Sequence, residues 1–98
     1  MQWWYSPLSY ACYGGSYDIA KYFVEECGLD PESSNGQTWY PLHYAAMSDN
    51  FDAVEYLVEE CKVHPNRGGK PVEYASNSRI ETYLKQVVEE YLEEYGDD

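Results

Sequence analysis

An all-α fold of stacked helix pairs is the class this sequence predicts, and three observations predict it. A block of residues recurs at a fixed distance. Pro7-Leu8, Tyr10-Ala11, Asp18, Tyr22 and the run VEEC at 24–27 return 34 residues later as Pro41-Leu42, Tyr44-Ala45, Asp52, Tyr56 and VEEC at 58–61. Within each block the apolar residues fall three and four apart, the spacing of one helix face. Between these stripes stand proline, glycine and aspartate, which start and stop helices. Such a period marks a repeat array, in which each unit buries its apolar face against its neighbours.

The elements follow in order. Ser6-Pro7 offers a hydroxyl cap and a first-turn proline, and Leu8, Ala11 and Cys12 then mark one face of a short helix. Gly14-Gly15 ends it, because glycine accepts the left-handed conformation that helix ends favour. A second helix begins near Tyr17, with Ile19, Ala20, Phe23, Val24 and Cys27 on its apolar side and Asp18, Lys21, Glu25 and Glu26 on the other. Gly28 and Pro31 stop it. Ala53, Val54, Leu57, Val58 and Cys61 repeat the stripe in the second unit. A third copy opens at PVEYA (71–75), but Pro71 follows Pro41 by only 30 residues, so this unit is shortened. From about Arg79, Ile80, Tyr83, Leu84, Val87, Val88, Tyr91, Leu92 and Tyr95 line one side of a last helix. Glu89, Glu90, Glu93 and Glu94 decorate the other, a charged outer face that lets a repeat stack end without exposing its core. The predicted organisation is one domain over 1–98, with units at about 3–35, 36–69 and a truncated 70–85, and a capping helix at about 79–95.

Charge and composition narrow the function. Eighteen acidic residues against six basic ones give a formal net charge of -12. That balance repels phosphate backbones and anionic membrane surfaces, so neither nucleic acid nor membrane is an expected partner. No apolar run reaches the ~18–20 residues that span a bilayer, and MQWWYSPL lacks the pattern of a signal peptide. Cys12, Cys27 and Cys61 lack C-x-x-C spacing, and the only histidines are His43 and His64. Hence no metal site or cofactor is expected, and reduced thiols in a cytoplasmic or other reducing compartment are. The unusual feature is aromatic content, with twelve Tyr and three Trp among 98 residues. A core this small cannot hold them all, so some face water or a partner.

PLHYAA at 41–46, on a period near 34, resembles the ankyrin repeat, whose signature is T-P-L-H-x-A on a ~33-residue period. SPLSYACYGGSYDIAKYFVEECGLDPE looks like a whole unit, YPLHYAAMSDNFDAVEYLVEECKVHPN repeats it, and KPVEYASNSRIETYL resembles a truncated one. The extra residue per period falls in the EEC stretch ending the second helix. The resemblance implies an ankyrin solenoid of helix-turn-helix units with β-turn fingers and a C-terminal capping helix. It also implies a protein-binding scaffold without catalysis, reading partners with finger tips and the concave surface of the first helices. Departures are evident. The family threonine becomes Ser6, Tyr40 and Lys70, and its histidine survives only as His43. The glycine after the first helix is kept as Gly15 but becomes Asp49, a residue that tolerates the left-handed region better than most.

The same register sorts the rings. Tyr10, Tyr44, Tyr74, Tyr17, Phe51, Tyr83 and Tyr91 are expected in the core or half-core, and Tyr22 and Tyr56 on the outer side. Trp3, Trp4, Tyr5, Trp39 and Tyr40 fall in fingers, and Tyr13 and Met47 on the concave side. Trp, Tyr and Met are enriched at interface centres, so these seven form the expected partner-binding set, oriented by Gln37, Ser48 and Asp49. Trp3 and Trp4 have a second reading, as a cap over the N-terminal end. The expected partner is another folded protein, heterologous rather than a second copy. The alternative is a natural ankyrin fragment that self-associates into a homodimer through its Trp-rich N-terminal end. Large aromatics concentrated where the family varies also read as a designed or engineered interface. Ser9, His43 and the carboxylates match no catalytic motif, and His43 is expected to serve the helix start instead.

Overall fold

Helix starts in this chain follow its prolines. Helices α1 (Pro7–Gly14) and α3 (Pro41–Met47) each open on one, whose missing N–H is not needed in a first turn. α2 (Tyr17–Glu25), α4 (Phe51–Glu55) and α5 (Ser78–Tyr95) follow their turns. The computed structural model describes residues 7–14, 16–32, 40–66 and 70–95, and among these every regular element is helical. The expected fingers at 1–6, 33–39 and 67–69, and Gly15, lie outside the described residues.

Short polar side chains start the second helices. Ser16 Oγ accepts from Ile19 N–H at 3.4 Å, Asn50 Oδ1 from Ala53 N–H at 3.3 Å, and Asn77 Oδ1 from Ile80 N–H at 2.9 Å. Each supplies an acceptor to an N–H that the helix itself leaves unpaired. Asp49 takes the left-handed conformation expected of it, with φ 64°, and its carboxylate accepts from Asn77 Nδ2 in the third unit. The first helices are also tied across units. Ser48 Oγ donates to the Cys12 carbonyl at 2.8 Å, and Ser76 N–H donates to the equivalent Ala46 carbonyl at 3.0 Å.

The extra residue of each period has a visible consequence. α4 runs into a π-helical turn, Tyr56–Glu60, and Cys61 N–H reaches back to the Tyr56 carbonyl at 3.1 Å. In the first unit Cys27 N–H reaches Tyr22 in the same way at 3.3 Å. An inserted residue widens one turn rather than shifting the whole apolar stripe, because burial of that stripe outweighs one poorly placed backbone bond. Both helices then finish on a left-handed residue, Gly28 with φ 73° and Lys62 with φ 59°. Lysine carries a Cβ that this conformation disfavours, whereas glycine does not. Lys62→Gly is therefore expected to raise stability by about 0.5–1 kcal/mol, read as an upward shift of the urea midpoint. No change, or a loss, would show that the turn carries no strain.

The core lies between the helix layers. Leu8, Ala11, Cys12, Ala20, Leu42, Ala45, Ala46, Ala53, Val54, Leu57, Ile80 and Leu84 are buried in one cluster. Alanine at 45, 46 and 53 lets helices approach closely, and leucine fills the gaps between them.

Four expectations are corrected. Ile19 and Cys27, both expected on the second helix's apolar side, are exposed, and Cys27 lies beyond the end of α2. Tyr10, expected half-buried, is exposed, while Tyr56, expected on the outer side, is buried. Tyr56 packs against Tyr17 and Glu25 of the preceding unit, and the described residues hold no unit ahead of Tyr10 and Ile19. The third unit begins as a four-residue 3₁₀ turn, Pro71–Tyr74, after Lys70 at φ 33°. Lys70 makes no side-chain cap bond there.

Buried weak acids link this stack to pH. Burial, with the Cys61 thiol beside it, pushes the Cys12 thiol from its ordinary 9.0 up to about 12. Burial, and then hydrogen bonds to Glu25 and Glu59, raise the Tyr56 and Tyr83 phenols above their usual range. The fold thus favours the neutral forms, so their contribution is complete below pH 9 and is lost as pH climbs through the raised values. For Cys12 the loss approaches roughly 1.4 kcal/mol per pH unit. Urea midpoints should fall steeply above pH 9, and in Cys12→Ala the fall between pH 9 and 10 should be shallower, because only the half-buried Cys61 thiol, also raised, then remains there. Identical alkaline profiles for the two proteins would show that Cys12 does not control the first step.

Candidate protein-interaction face

Near their ends the first helices carry two residues at the edge of the core. Tyr13 lies in the last turn of α1 and is exposed, and Met47 ends α3 and is half-buried against the core edge. With Tyr44, Tyr74 and Ser76 they line an open groove of about 480 Å³ across all three units. The Tyr13 ring stands edge-on to Tyr44, with centroids 6.3 Å apart at 85°. Such T-shaped packing sets the positive edge of one ring on the negative face of the other, holding the wall in shape without filling the groove. Tyr74 is held from behind by the buried His43 ring, 5.7 Å away at 73°.

His43 also fixes the start of α3. Its Nδ1 accepts the Tyr40 N–H at 3.0 Å, so the ring proton resides on Nε2. This is the third-position half of a capping box, with imidazole in place of a carboxylate. Tyr40 holds the N-cap position in extended backbone, with φ -113° and ψ 165°. The Tyr40 ring leans on His43, with centroids 6.0 Å apart.

A second, polar groove of about 380 Å³ adjoins the first through Tyr13, lined by Tyr17, Asp18, Asp49 and Asp52 among others. No ion pair among the described residues touches these carboxylates. The acidic wall continues past Tyr17 and Asp52 to Glu55, Glu59 and Glu60. One cation already seeks this surface, with Lys21 Nζ 5.8 Å from the Tyr17 ring centroid. Tyr17, then Glu25, hold that ammonium above its ordinary pKa.

Of the ten residues expected to meet a partner, Trp3, Trp4, Tyr5, Gln37 and Trp39 lie outside the described residues. Tyr13 and Met47 share the groove. Tyr40 is half-buried and turned toward its own helix. Ser48 and Asp49 edge the polar groove, but both hold the stack together as well, through Cys12 and Asn77. Tyr74 and Ser76 were missed as site residues, because the sequence does not reveal that the third unit's first helix ends after one turn and leaves their flank open.

Among the described residues no His, Cys, Asp or Glu cluster could hold a metal ion, and no helix is long and apolar enough to cross a membrane. A family model described as ankyrin repeats (three copies) matches residues 8–94. A search of curated proteins gave no match.

Proposed function

This chain belongs to the ankyrin repeat family, and on that premise we propose that it is a non-enzymatic module docking a folded, heterologous protein through the aromatic side of its first helices. Ankyrin repeats act generally as protein-interaction modules. The observation that carries the finer reading is the groove itself, in which three successive units contribute Tyr13, Tyr44, Met47 and Tyr74. Rigid rings with few rotatable bonds lose little entropy on docking, and their polar tips accept imperfect partners. The partner surface is compact and partly apolar, and bears basic residues at its rim that meet Asp18, Asp52 and the net charge of -12. By repeat register Trp3, Trp4, Tyr5, Gln37 and Trp39 belong to the finger segments, and their residue types support the same reading.

Large rings at positions that vary within the family also favour an interface shaped for one chosen partner, by design or by selection. His43 offers no catalytic nitrogen at Nδ1, which is occupied by Tyr40 N–H.

A photo-crosslinking side chain at position 13 should capture a single protein, and Met47→Asp should abolish that adduct. The same probe at position 93, on the exposed acidic side of α5, should capture none. Equal capture from both positions would overturn the assignment of the groove.

A further inference from the structure

The two interfaces between units share an aromatic motif. At the first, Tyr56 meets the Tyr17 ring edge-on, with centroids 5.5 Å apart, and donates its hydroxyl hydrogen to Glu25 Oε2 at 2.9 Å. At the second, Tyr83 meets the Phe51 ring at 5.3 Å and donates to Glu59 Oε2 at 2.7 Å. Tyr17 and Phe51 are register counterparts, each the first residue of its helix, α2 or α4.

The interfaces differ in the charge that faces the ring. The second residue of α5 is Arg79, and its guanidinium carbon lies 3.9 Å from the Phe51 centroid. The second residue of α4 is Asp52. Unit two therefore presents a carboxylate to Tyr17 at the position where unit three presents a guanidinium to Phe51. The nearest cation to Tyr17 comes from its own helix, with Lys21 Nζ 5.8 Å from the centroid, close to the ~6 Å limit of such contacts. On the side of unit two, the Tyr17 ring borders an open groove of about 450 Å³ walled by Asp52, Glu55, Tyr56, Glu59 and Glu60. Glu59 already accepts from Tyr83, whereas Asp52, Glu55 and Glu60 are exposed carboxylates.

We propose that Tyr17, Asp52, Glu55 and Glu60 form the seat of an arginine side chain carried by the protein that docks in the neighbouring groove. The proposal rests on that docking for the source of the arginine, since the polar groove runs from Tyr13 to Tyr17 and Asp52 and so joins the two sites. The kind of ligand follows from the second interface, where the same arrangement of rings already holds a guanidinium. That group is flat, lies on an aromatic face and forks its donors toward two carboxylates, whereas an ammonium is a compact and strongly hydrated charge. In a chain of net charge -12, a cation seated here also relieves the repulsion among neighbouring carboxylates.

N-acetyl-arginine amide tests the seat without the partner, because the guanidinium is its single charge. Titrated into the isotope-labelled chain and followed by NMR, it should shift the Tyr17 ring protons and the Asp52 and Ala53 amides along one saturating curve. N-acetyl-lysine amide should bind about threefold more weakly, for want of a flat group to lay on the ring. Asp52→Arg supplies a guanidinium at the register of Arg79, so that side chain should occupy the ring and added arginine should no longer shift Tyr17. Glu93→Arg makes the same change in charge on the exposed side of α5 and should leave the curve in place. Equal binding of the two amino-acid amides, or equal loss in both variants, would overturn the proposal by reducing the effect to net charge. An arginine titration that leaves Tyr17 unshifted would overturn it as well, while a crosslink formed at position 13 would show that the groove still docks a protein.

Discussion

Replacing His43 with alanine is expected to remove roughly 3 kcal/mol of folding stability, a large share of what a domain this size possesses. Two losses combine. The ring is fully buried between Tyr40 and Tyr74, so its removal leaves a cavity where the second and third units meet. Its Nδ1 also accepts the Tyr40 N–H, and without it a part-buried donor at the start of α3 loses its acceptor, at a cost of about 1–3 kcal/mol. His43→Gln separates the two effects. A glutamine at the third helical position can return its carbonyl to the N-cap N–H, so it should recover part of the loss while lacking the ring. Urea unfolding followed by circular dichroism reads both variants. If glutamine and alanine destabilise equally, the hydrogen bond contributes little and packing alone explains the residue.

Tyr56→Ala should cost about 3–5 kcal/mol, the range for emptying a buried aromatic site. Tyr56→Phe should cost only about 1 kcal/mol, because Glu25 stands at the surface and water replaces the lost hydroxyl. The contrast matters because Tyr56 joins two units. In a stack whose units contact only their neighbours, weakening one interface lowers cooperativity as well as stability. Tyr56→Ala should therefore broaden the unfolding transition, with the first unit exchanging its amide protons before the second. A single sharp transition with uniform exchange would mean that the units do not unfold separately.

The sequence made the fold legible because the period repeats chemistry as well as spacing. Proline, the Tyr-Ala pair and VEEC return in register, and so do the structural roles of Ala20 and Val54 or Gly28 and Lys62. Asp49 was readable too, since few residues other than glycine take a left-handed turn cheaply. The exposure of Tyr10, Ile19 and Tyr22 was not readable. Periodicity tells which side of a helix is apolar, but burial depends on whether a neighbouring unit lies over that side. Likewise 34 residues in place of ~33 located the surplus residue, but only the backbone shows that it becomes a π turn. In the candidate face, Tyr13 and Met47 were legible from register alone. Ser48 was read as an orienting group, yet its hydroxyl holds Cys12, a contact 36 positions away in sequence that no local pattern encodes.

The claim that rings outside the helix stack form the docking surface is tested most directly on Tyr13. With the partner captured through position 13, titration calorimetry should show Tyr13→Ala weakening affinity by about 30-fold or more, in line with loss of a central aromatic anchor worth ~2 kcal/mol. The melting temperature of the uncomplexed protein should stay nearly constant, because the Tyr13 ring is exposed. Unchanged affinity with a lowered melting temperature would contradict the claim and return Tyr13 to the core.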